Sequence, residues 1–232
     1  MYTTLITGAN RGIGLELTRQ YVADGWRVLA CCRRPEQADA LNQLAAQHPD
    51  TVQVHALDVT DRAQIDALAK TLAHEAIDLL MNNAGVYPDG EFKDFGHTDY
   101  DAWLYAFQVN SMAPLKMAEA FVSQVARSRR KIIASISSKM GSMDDNTSGG
   151  AYLYRSSKAA LNMVVKSLSL DLKEPGITAV VFNPGWVLTD MGGPNAMITV
   201  QQSVSGLRRV IAKLTPADSG KFFNYDGAEI AW

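Results

Sequence analysis

One segment decides the fold of this chain: Tyr2-Thr3-Thr4-Leu5-Ile6-Thr7-Gly8-Ala9-Asn10-Arg11-Gly12-Ile13-Gly14. Its first part is typical of a short buried strand, its second part is a glycine-rich turn, and a helical pattern follows at once. Strand, glycine-rich turn and helix in this order are the context of a dinucleotide-binding fingerprint. The glycines allow a tight turn and a close approach of backbone to a pyrophosphate, and the helix N-terminus offers N–H groups to the anion. A similar turn that binds no nucleotide is the alternative.

Outward from this segment, strands and helices alternate along the whole chain. Strand-like apolar runs recur at Leu5–Thr7, Val28–Cys31, Val52–Ala56, Leu79–Met81, Lys131–Ile136, Thr178–Phe182 and Lys221–Phe223. Helical patterns lie at 12–23, 35–47, 61–74, 99–126, 155–173 and 201–213. The alternation predicts one α/β domain over residues 1–232, with a doubly wound, mostly parallel seven-stranded sheet covered by helices on both faces. Ligands of such folds bind outside the carboxyl ends of the strands.

Composition narrows the classes of function. The chain has 232 residues, a net charge of -2 and a pI near 6.1, which give no electrostatic reason to expect nucleic acid or an anionic membrane as a partner. No signal peptide or membrane-spanning run is recognisable. The only cysteines, Cys31 and Cys32, are adjacent, and the four histidines lack metal-ligand spacing. We therefore expect a cytoplasmic protein without a metal ion.

Tyr154 and Lys158 form the clearest chemical pair in the sequence. They are four residues apart, in Tyr-Arg-Ser-Ser-Lys, at the start of a helical pattern. Residues at this spacing lie on one helix face, so the two side chains can meet. An ammonium beside a phenol should lower the pKa of the phenol and make it an acid/base group at neutral pH. Taken alone, the pair also fits a solvated helix face.

Six motifs in one order give the chain a family resemblance. They are Thr7-Gly8-Ala9-Asn10-Arg11-Gly12-Ile13-Gly14, Asn82-Asn83-Ala84-Gly85, Asn110, Ser137-Ser138, Tyr154-x-x-x-Lys158 and Asn183-Pro184-Gly185. Together they resemble the short-chain dehydrogenase/reductase family. The arginine of the glycine loop, the residues around Tyr154 and the run 218–227 are similar to its carbonyl-reductase and C-factor-like branch. The resemblance implies a Rossmann fold and an NAD(P)-dependent oxidoreductase.

The resemblance also implies catalytic roles. Tyr154 would deliver the proton, Ser138 would polarise the substrate carbonyl, Lys158 would hold the nicotinamide ribose and tune the tyrosine, and Asn110 would kink its helix and hold a water near the lysine. Asn110 could equally be an ordinary polar helix residue. Ser137 is a weaker candidate than Ser138, since successive strand residues face opposite sides.

The cofactor-binding set implied by the resemblance is larger. It comprises Gly8, Asn10, Arg11, Gly12, Ile13, Gly14, Arg33, Asp58, Val59, Asn82, Ala84, Gly85, Tyr154, Lys158, Pro184, Gly185, Val187 and Thr189. Position 32, where NAD-preferring relatives carry an acid, is Cys32, and Arg33 follows it. Arg33, with Arg11 adding charge on the same side, favours NADP(H) over NAD(H), because guanidinium groups suit a 2′-phosphate. The alternatives are solvated arginines and, for Asp58, a simple helix cap.

The expected reaction is the NADPH-dependent reduction of a small or apolar aldehyde or ketone, although the residues do not fix its direction. An apolar, adaptable pocket is expected from Tyr87, Met140, Met143, Trp186, Met191, Met197 and Ile198. The alternative is a weakly catalytic or non-catalytic dinucleotide-binding sensor of the C-factor type. The regions 99–126 and 155–173 resemble helices through which family members associate, so a homodimer or homotetramer is expected, with a monomer as the alternative.

Overall fold

All strands of the sheet run in the same direction, so their carboxyl ends lie at one edge, as the sequence predicts. A computed structural model describes residues 1–89 and 95–232. Its seven strands, all parallel, are β1 (Thr3–Thr7), β2 (Arg27–Cys32), β3 (Val52–Ala56), β4 (Leu79–Asn82), β5 (Ile132–Ile136), β6 (Thr178–Asn183) and β7 (Phe222–Asn224). Their order in the sheet is β3-β2-β1-β4-β5-β6-β7. The order reverses between β1 and β4, so a ligand crevice is expected there.

Helices cover both faces of this sheet. The described residues form seven α-helices: α1 (Gly12–Ala23), α2 (Asp39–Gln47), α3 (Arg62–Thr71), α4 (Tyr100–Phe107), α5 (Ala113–Ala126), α6 (Tyr152–Asp171) and α7 (Val200–Lys213). One core cluster joins α1, α2 and α7 to the sheet, and the other joins α3, α5 and α6. Successive strand residues serve opposite clusters: Ile6 belongs to the first and Leu5 to the second. The predicted doubly wound α/β fold is confirmed.

Three of the predicted helical regions are divided or begin elsewhere in the structure. The region 35–47 divides at Ala38, whose φ of −102° and ψ of 56° separate a 3-10 turn at Pro35–Gln37 from α2. The region 99–126 divides at a π-helical turn, Gln108–Met112, between α4 and α5. Helix α6 begins at Tyr152, three residues before the predicted start at 155.

Candidate active site

The glycine loop is attached to the end of β4 by one asparagine. The Asn83 side chain donates hydrogen bonds to the carbonyl oxygens of Thr7 (2.8 Å) and Gly8 (3.2 Å). In return, Thr7 Oγ1 accepts from the backbone N–H groups of Asn83 and Ala84, both at 3.0 Å. Asn82, the asparagine that belongs to the predicted cofactor-binding set, faces the sheet instead and donates to Ser135 Oγ at 3.4 Å. Sequence reasoning therefore missed Asn83 and Thr7, although alternation along a strand end should have separated the two asparagines.

The start of α1 fits an anion. Its N-cap residue, Arg11, makes no side-chain capping bond, and the first turn contains no acidic residue. Gly12 has a φ of 51°, the left-handed region that favours glycine. A Cβ built on Gly14 would overlap the carbonyl oxygen of Gly8, so the helix packs against the loop only with glycine there. Uncapped N–H groups at the positive end of the helix dipole are a suitable cradle for a pyrophosphate.

The two arginines of the predicted phosphate site have different partners. Arg33 follows β2, and its Nη1 donates to the Tyr105 hydroxyl of α4 at 3.2 Å. Arg11 Nη1 pairs with Asp190 Oδ2 at 2.8 Å, and both side chains are exposed. Asp190, in the loop after β6, partly neutralises the positive charge of Arg11. Arg33 is therefore the stronger candidate to bind a 2′-phosphate.

Asp58 is not the cap of α3. Its Oδ1 accepts from Thr60 N at 2.9 Å and from Thr60 Oγ1 at 2.7 Å, which makes a local turn. The cap is Asp61, which accepts from the N–H groups of Ala63 and Gln64. The helix-cap interpretation of Asp58 is therefore wrong, and its carboxylate, with Val59 beside it, remains a candidate for adenine contact.

The Tyr154 phenol lies in a buried cluster at the end of β5. It shares a hydrogen bond with the Ser138 side chain, and its ring packs against that of Tyr87 with centroids 4.7 Å apart. The pKa of Tyr154 is raised to about 12: burial raises it most, the Ser138 hydrogen bond lowers it, and Tyr87 adds a smaller increase. At neutral pH the phenol is therefore protonated, which is the form of a proton donor.

Lys158 is near the phenol, and burial governs its charge as well. Its Nζ lies 5.7 Å from the centroid of the Tyr154 ring and donates to the carbonyl oxygen of Ile136 at 2.9 Å. Burial lowers the pKa of Lys158 to about 7. The expectation that the ammonium would lower the tyrosine pKa is thus wrong for this structure, because desolvation dominates the ionisation of both groups.

Asn110 lies in the π-helical turn between α4 and α5. It is fully buried within the π-helical turn, and its Oδ1 accepts from Val86 N at 2.9 Å. Its Nδ2 donates to the carbonyl oxygen of Val86 at 3.0 Å and to Ser157 Oγ at 2.9 Å. These bonds tie residues 85–89, here called the post-β4 segment, to α6. A Cβ built on Gly85 would lie 3.3 Å from Asn110 Oδ1 and 3.5 Å from Lys158 Nζ, so a side chain at this position would crowd Asn110.

The two serines after β5 face different neighbours. Ser137 is buried against α6, where its Oγ donates to Asn162 Oδ1 at 2.7 Å. Ser138 is partly exposed, and its side chain reaches Tyr154. Ser138 Oγ also accepts from Met140 N at 3.1 Å, which fixes the turn after the strand. Asn183, at the end of β6, accepts from Lys139 N at 3.0 Å and holds the same turn. Sequence reasoning missed Asn162 and Asn183 as supports of this turn.

The segment after β6 folds back beside the glycine loop. Pro184 is buried and its carbonyl accepts from Ser203 Oγ at 2.6 Å. Val187 is buried and pairs with Ile198 in an isolated parallel bridge, while Thr189 Oγ1 accepts from Gly192 N at 3.1 Å. The exposed apolar side chains predicted to line a pocket are Trp186, Met191, Met197 and Met143. Each of these four side chains is more than half exposed.

The geometry brings the predicted residues together from four strand ends. Ser138 and Lys158 both lie beside Tyr154, and Asn110 is bonded to Ser157 of the same helix as Tyr154. The glycine loop lies against Asn83 at the end of β4. Residues 1–89 and 95–232 contain no group of three or more His, Cys, Asp or Glu side chains placed to hold a metal ion. No helix in the same ranges is long and apolar enough to cross a membrane.

Comparison with known proteins identifies this class of site. Residues 2–197 match the family described as short chain dehydrogenase. The chain therefore belongs to the short-chain dehydrogenase family, and it is an oxidoreductase of that family. This confirms the family resemblance.

Particular relatives place the chain within the family. It is 43% identical to the C-signal protein of Myxococcus xanthus over 72% of this chain and 99% of that protein. It is similar to the NADPH-bound carbonyl reductase from chicken fatty liver, with a TM-score of 0.92, 35% identity, and coverage of 100% of this chain and 99% of that one. It is also similar to the carbonyl reductase Sniffer of D. melanogaster, with a TM-score of 0.94, 34% identity, and complete coverage of both chains.

Proposed function

We propose that this protein reduces small or apolar aldehydes and ketones with NADPH, and that Tyr154 donates the proton. The observation that carries the proposal is the buried phenol of Tyr154, protonated at neutral pH and hydrogen-bonded with Ser138. Reduction of a carbonyl builds negative charge on its oxygen, so two hydroxyl donors side by side can stabilise that charge. A protonated phenol can then complete the alcohol.

The remaining site residues support this role. A dinucleotide bound here would supply the hydride. The glycine loop and the start of α1 would hold its pyrophosphate, and Asp58 and Val59 its adenine. Lys158, with Gly85 leaving space beside Nζ, would hold a ribose hydroxyl. Pro184, Gly185, Val187 and Thr189 would line the nicotinamide side.

The cofactor preference rests on the charge after β2. Cys32 and Arg33 stand where an acid would favour NAD(H), and an arginine there suits a 2′-phosphate. The NADPH-bound relative from chicken liver supports the same choice. We infer that NADP(H) is preferred over NAD(H).

An NADPH-consumption screen tests the proposed reaction. The panel contains aldehydes, diketones, quinones and ketosteroids, each run with NADPH and with NADH. We expect turnover of at least one carbonyl class with NADPH and slower turnover with NADH. Cofactor binding without turnover across the panel would contradict the proposal.

Cofactor binding without turnover would indicate a different candidate function. The 43% identity to a protein named C-signal favours a dinucleotide-binding signalling protein. Its discriminating result is tight dinucleotide binding by the wild type, accompanied by no carbonyl reduction with any member of the panel. Under either function we propose a cytoplasmic, single-domain protein over residues 1–232 that forms a homodimer or homotetramer.

A further inference from the structure

The N-terminus of α6 has no cap of its own. The N-cap residue is Ala151, which has φ 47° and ψ 45° and makes no side-chain capping bond. The first N–H groups of a helix have no acceptor within the helix, and they are normally satisfied by a polar N-cap side chain. The alanine side chain cannot accept a hydrogen bond, so a side-chain acceptor for the first N–H groups of α6 has to come from another part of the chain.

Asp89 of the post-β4 segment supplies this acceptor. Its Oδ1 accepts from Leu153 N at 3.1 Å, and its Oδ2 accepts from Tyr154 N at 2.8 Å. These are the second and third residues of the helix, the positions that an N-cap side chain would serve. Asp89 is only 7% exposed. A buried carboxylate is costly unless it is hydrogen-bonded, and the positive end of the helix dipole favours it here.

The post-β4 segment is held firmly at its other end. Asn110 bonds both the N–H and the carbonyl of Val86, as described above. Between the two anchors, the Tyr87 ring packs on that of Tyr154. The segment therefore links Asn110 to the backbone of Tyr154, and Asp89 forms the last connection.

We propose that Asp89 is a positioning residue for the proton donor. By holding the backbone N–H of Tyr154, it sets where the phenol lies relative to Ser138 and the substrate oxygen. The inference rests on the proposed role of Tyr154 as proton donor. Asp89 itself would contact neither the substrate nor the cofactor.

The test compares Asp89→Ala and Asp89→Asn, with 4-nitrobenzaldehyde and NADPH as the probe reaction. Turnover should fall ~10–100-fold in Asp89→Ala, since misplacement of a reacting group by about 1 Å has effects of this size. Asp89→Asn keeps one oxygen acceptor and should lie between the wild type and Asp89→Ala. The NADPH dissociation constant, measured by fluorescence titration, should be unchanged, which separates positioning of the proton donor from loss of the cofactor site.

A double-mutant cycle with Tyr154→Phe separates this role from a general structural one. If Asp89 acts through the phenol, Asp89→Ala should not lower the residual turnover of Tyr154→Phe any further. An equal loss in both backgrounds would overturn the inference. If Tyr154→Phe alone kept wild-type turnover, both the proposed function and the role of Asp89 would fail. If Tyr154→Phe lost turnover but Asp89→Ala did not, only the role of Asp89 would fail.

A matched control and a second readout complete the test. Asp61 caps α3 through the same two helix positions, so Asp61→Ala should lower stability and leave turnover unchanged. In the ligand-free protein, amide hydrogen exchange at Leu153 and Tyr154 should be faster in Asp89→Ala than in the wild type, and the increase should be smaller in Asp89→Asn. If Asp89→Ala does not fold, Asp89→Asn is used for the comparison. Unchanged exchange at these two amides in both variants, or an equal loss of turnover in Asp61→Ala, would overturn the proposal.

Discussion

Burial sets the protonation of Tyr154 and Lys158 more strongly than their proximity does. Each group loses hydration in its charged form, so the phenol stays neutral and the amine loses its proton more easily. The Tyr-x-x-x-Lys spacing predicts the meeting of the two side chains, because it depends only on helix geometry. The direction of the pKa shift could not be predicted, because it depends on how completely the fold covers each group.

The lowered pKa of Lys158 leads to a prediction about stability. With a pKa of about 7 in the folded state, below its unfolded value of 10.5, Lys158 binds fewer protons when folded between these two pH values. The free energy of unfolding of the wild type should therefore rise with pH relative to Lys158→Met, by about 1 kcal/mol per pH unit between pH 7 and 9. Urea unfolding of both proteins at several pH values measures this difference. Parallel stability curves would contradict it.

A second prediction at this scale concerns Arg33. Arg33→Ala should weaken NADPH binding by about 10–100-fold, the range expected for loss of hydrogen bonds to a charged group, and leave NADH binding unchanged. Titration of each cofactor against the wild type and the variant measures the difference. Arg34 is the matched control, because its Nη1 contacts only Gln37 Oε1 among the bonds formed by the described residues, at 3.4 Å. A similar effect of Arg34→Ala would mean that general positive charge, and not Arg33, selects the cofactor.

At the scale of elements, the sequence predicts which helices and strands exist more accurately than where they end. Apolar periodicity reports burial, and all seven strands and both covered faces follow from it. The start of α6 was missed because its capping group, Asp89, is far away in sequence. Apolar periodicity alone gives 99–126 as one helical region, because Asn110 bonds Val86 and not its own helix; an interruption at Asn110 is implied only by the family resemblance. Contacts between distant segments leave no local pattern.

The packing of α1 on β1 gives a prediction for one glycine. In Gly14→Ala the new Cβ would overlap the Gly8 carbonyl and approach the Asn83 side chain, so the helix would have to move. The free energy of unfolding should fall by roughly 1–3 kcal/mol, as for other overpacked sites, and dinucleotide affinity should fall with it. Gly25→Ala is the control, because that position has a φ of 74° but no atom within 4 Å. It should lose stability from backbone strain alone and keep dinucleotide affinity. Unchanged affinity in Gly14→Ala would contradict the account.

At the scale of the whole molecule, exposed apolar side chains on α4 and α6 lead to a prediction about assembly. Leu104 and Met163 are each 63% exposed. Light scattering should give a dimer or tetramer mass for the wild type, and Leu104→Glu with Met163→Glu should reduce it to that of one 25.3 kDa chain. Met197→Glu is the control, because Met197 is 80% exposed but lies in the segment after β6. A wild-type mass of a single chain at micromolar concentration would contradict the prediction.

The central claim is that Tyr154 donates the proton in carbonyl reduction, and one measurement tests it most directly. Turnover of the carbonyl substrate with NADPH is compared in wild type and Tyr154→Phe, which keeps the ring packing against Tyr87 and loses only the hydroxyl. We expect turnover to fall by ~10²–10⁴-fold, the usual contribution of general acid–base catalysis, with NADPH affinity unchanged. Retention of more than about a tenth of wild-type turnover would fall outside that range and contradict the claim.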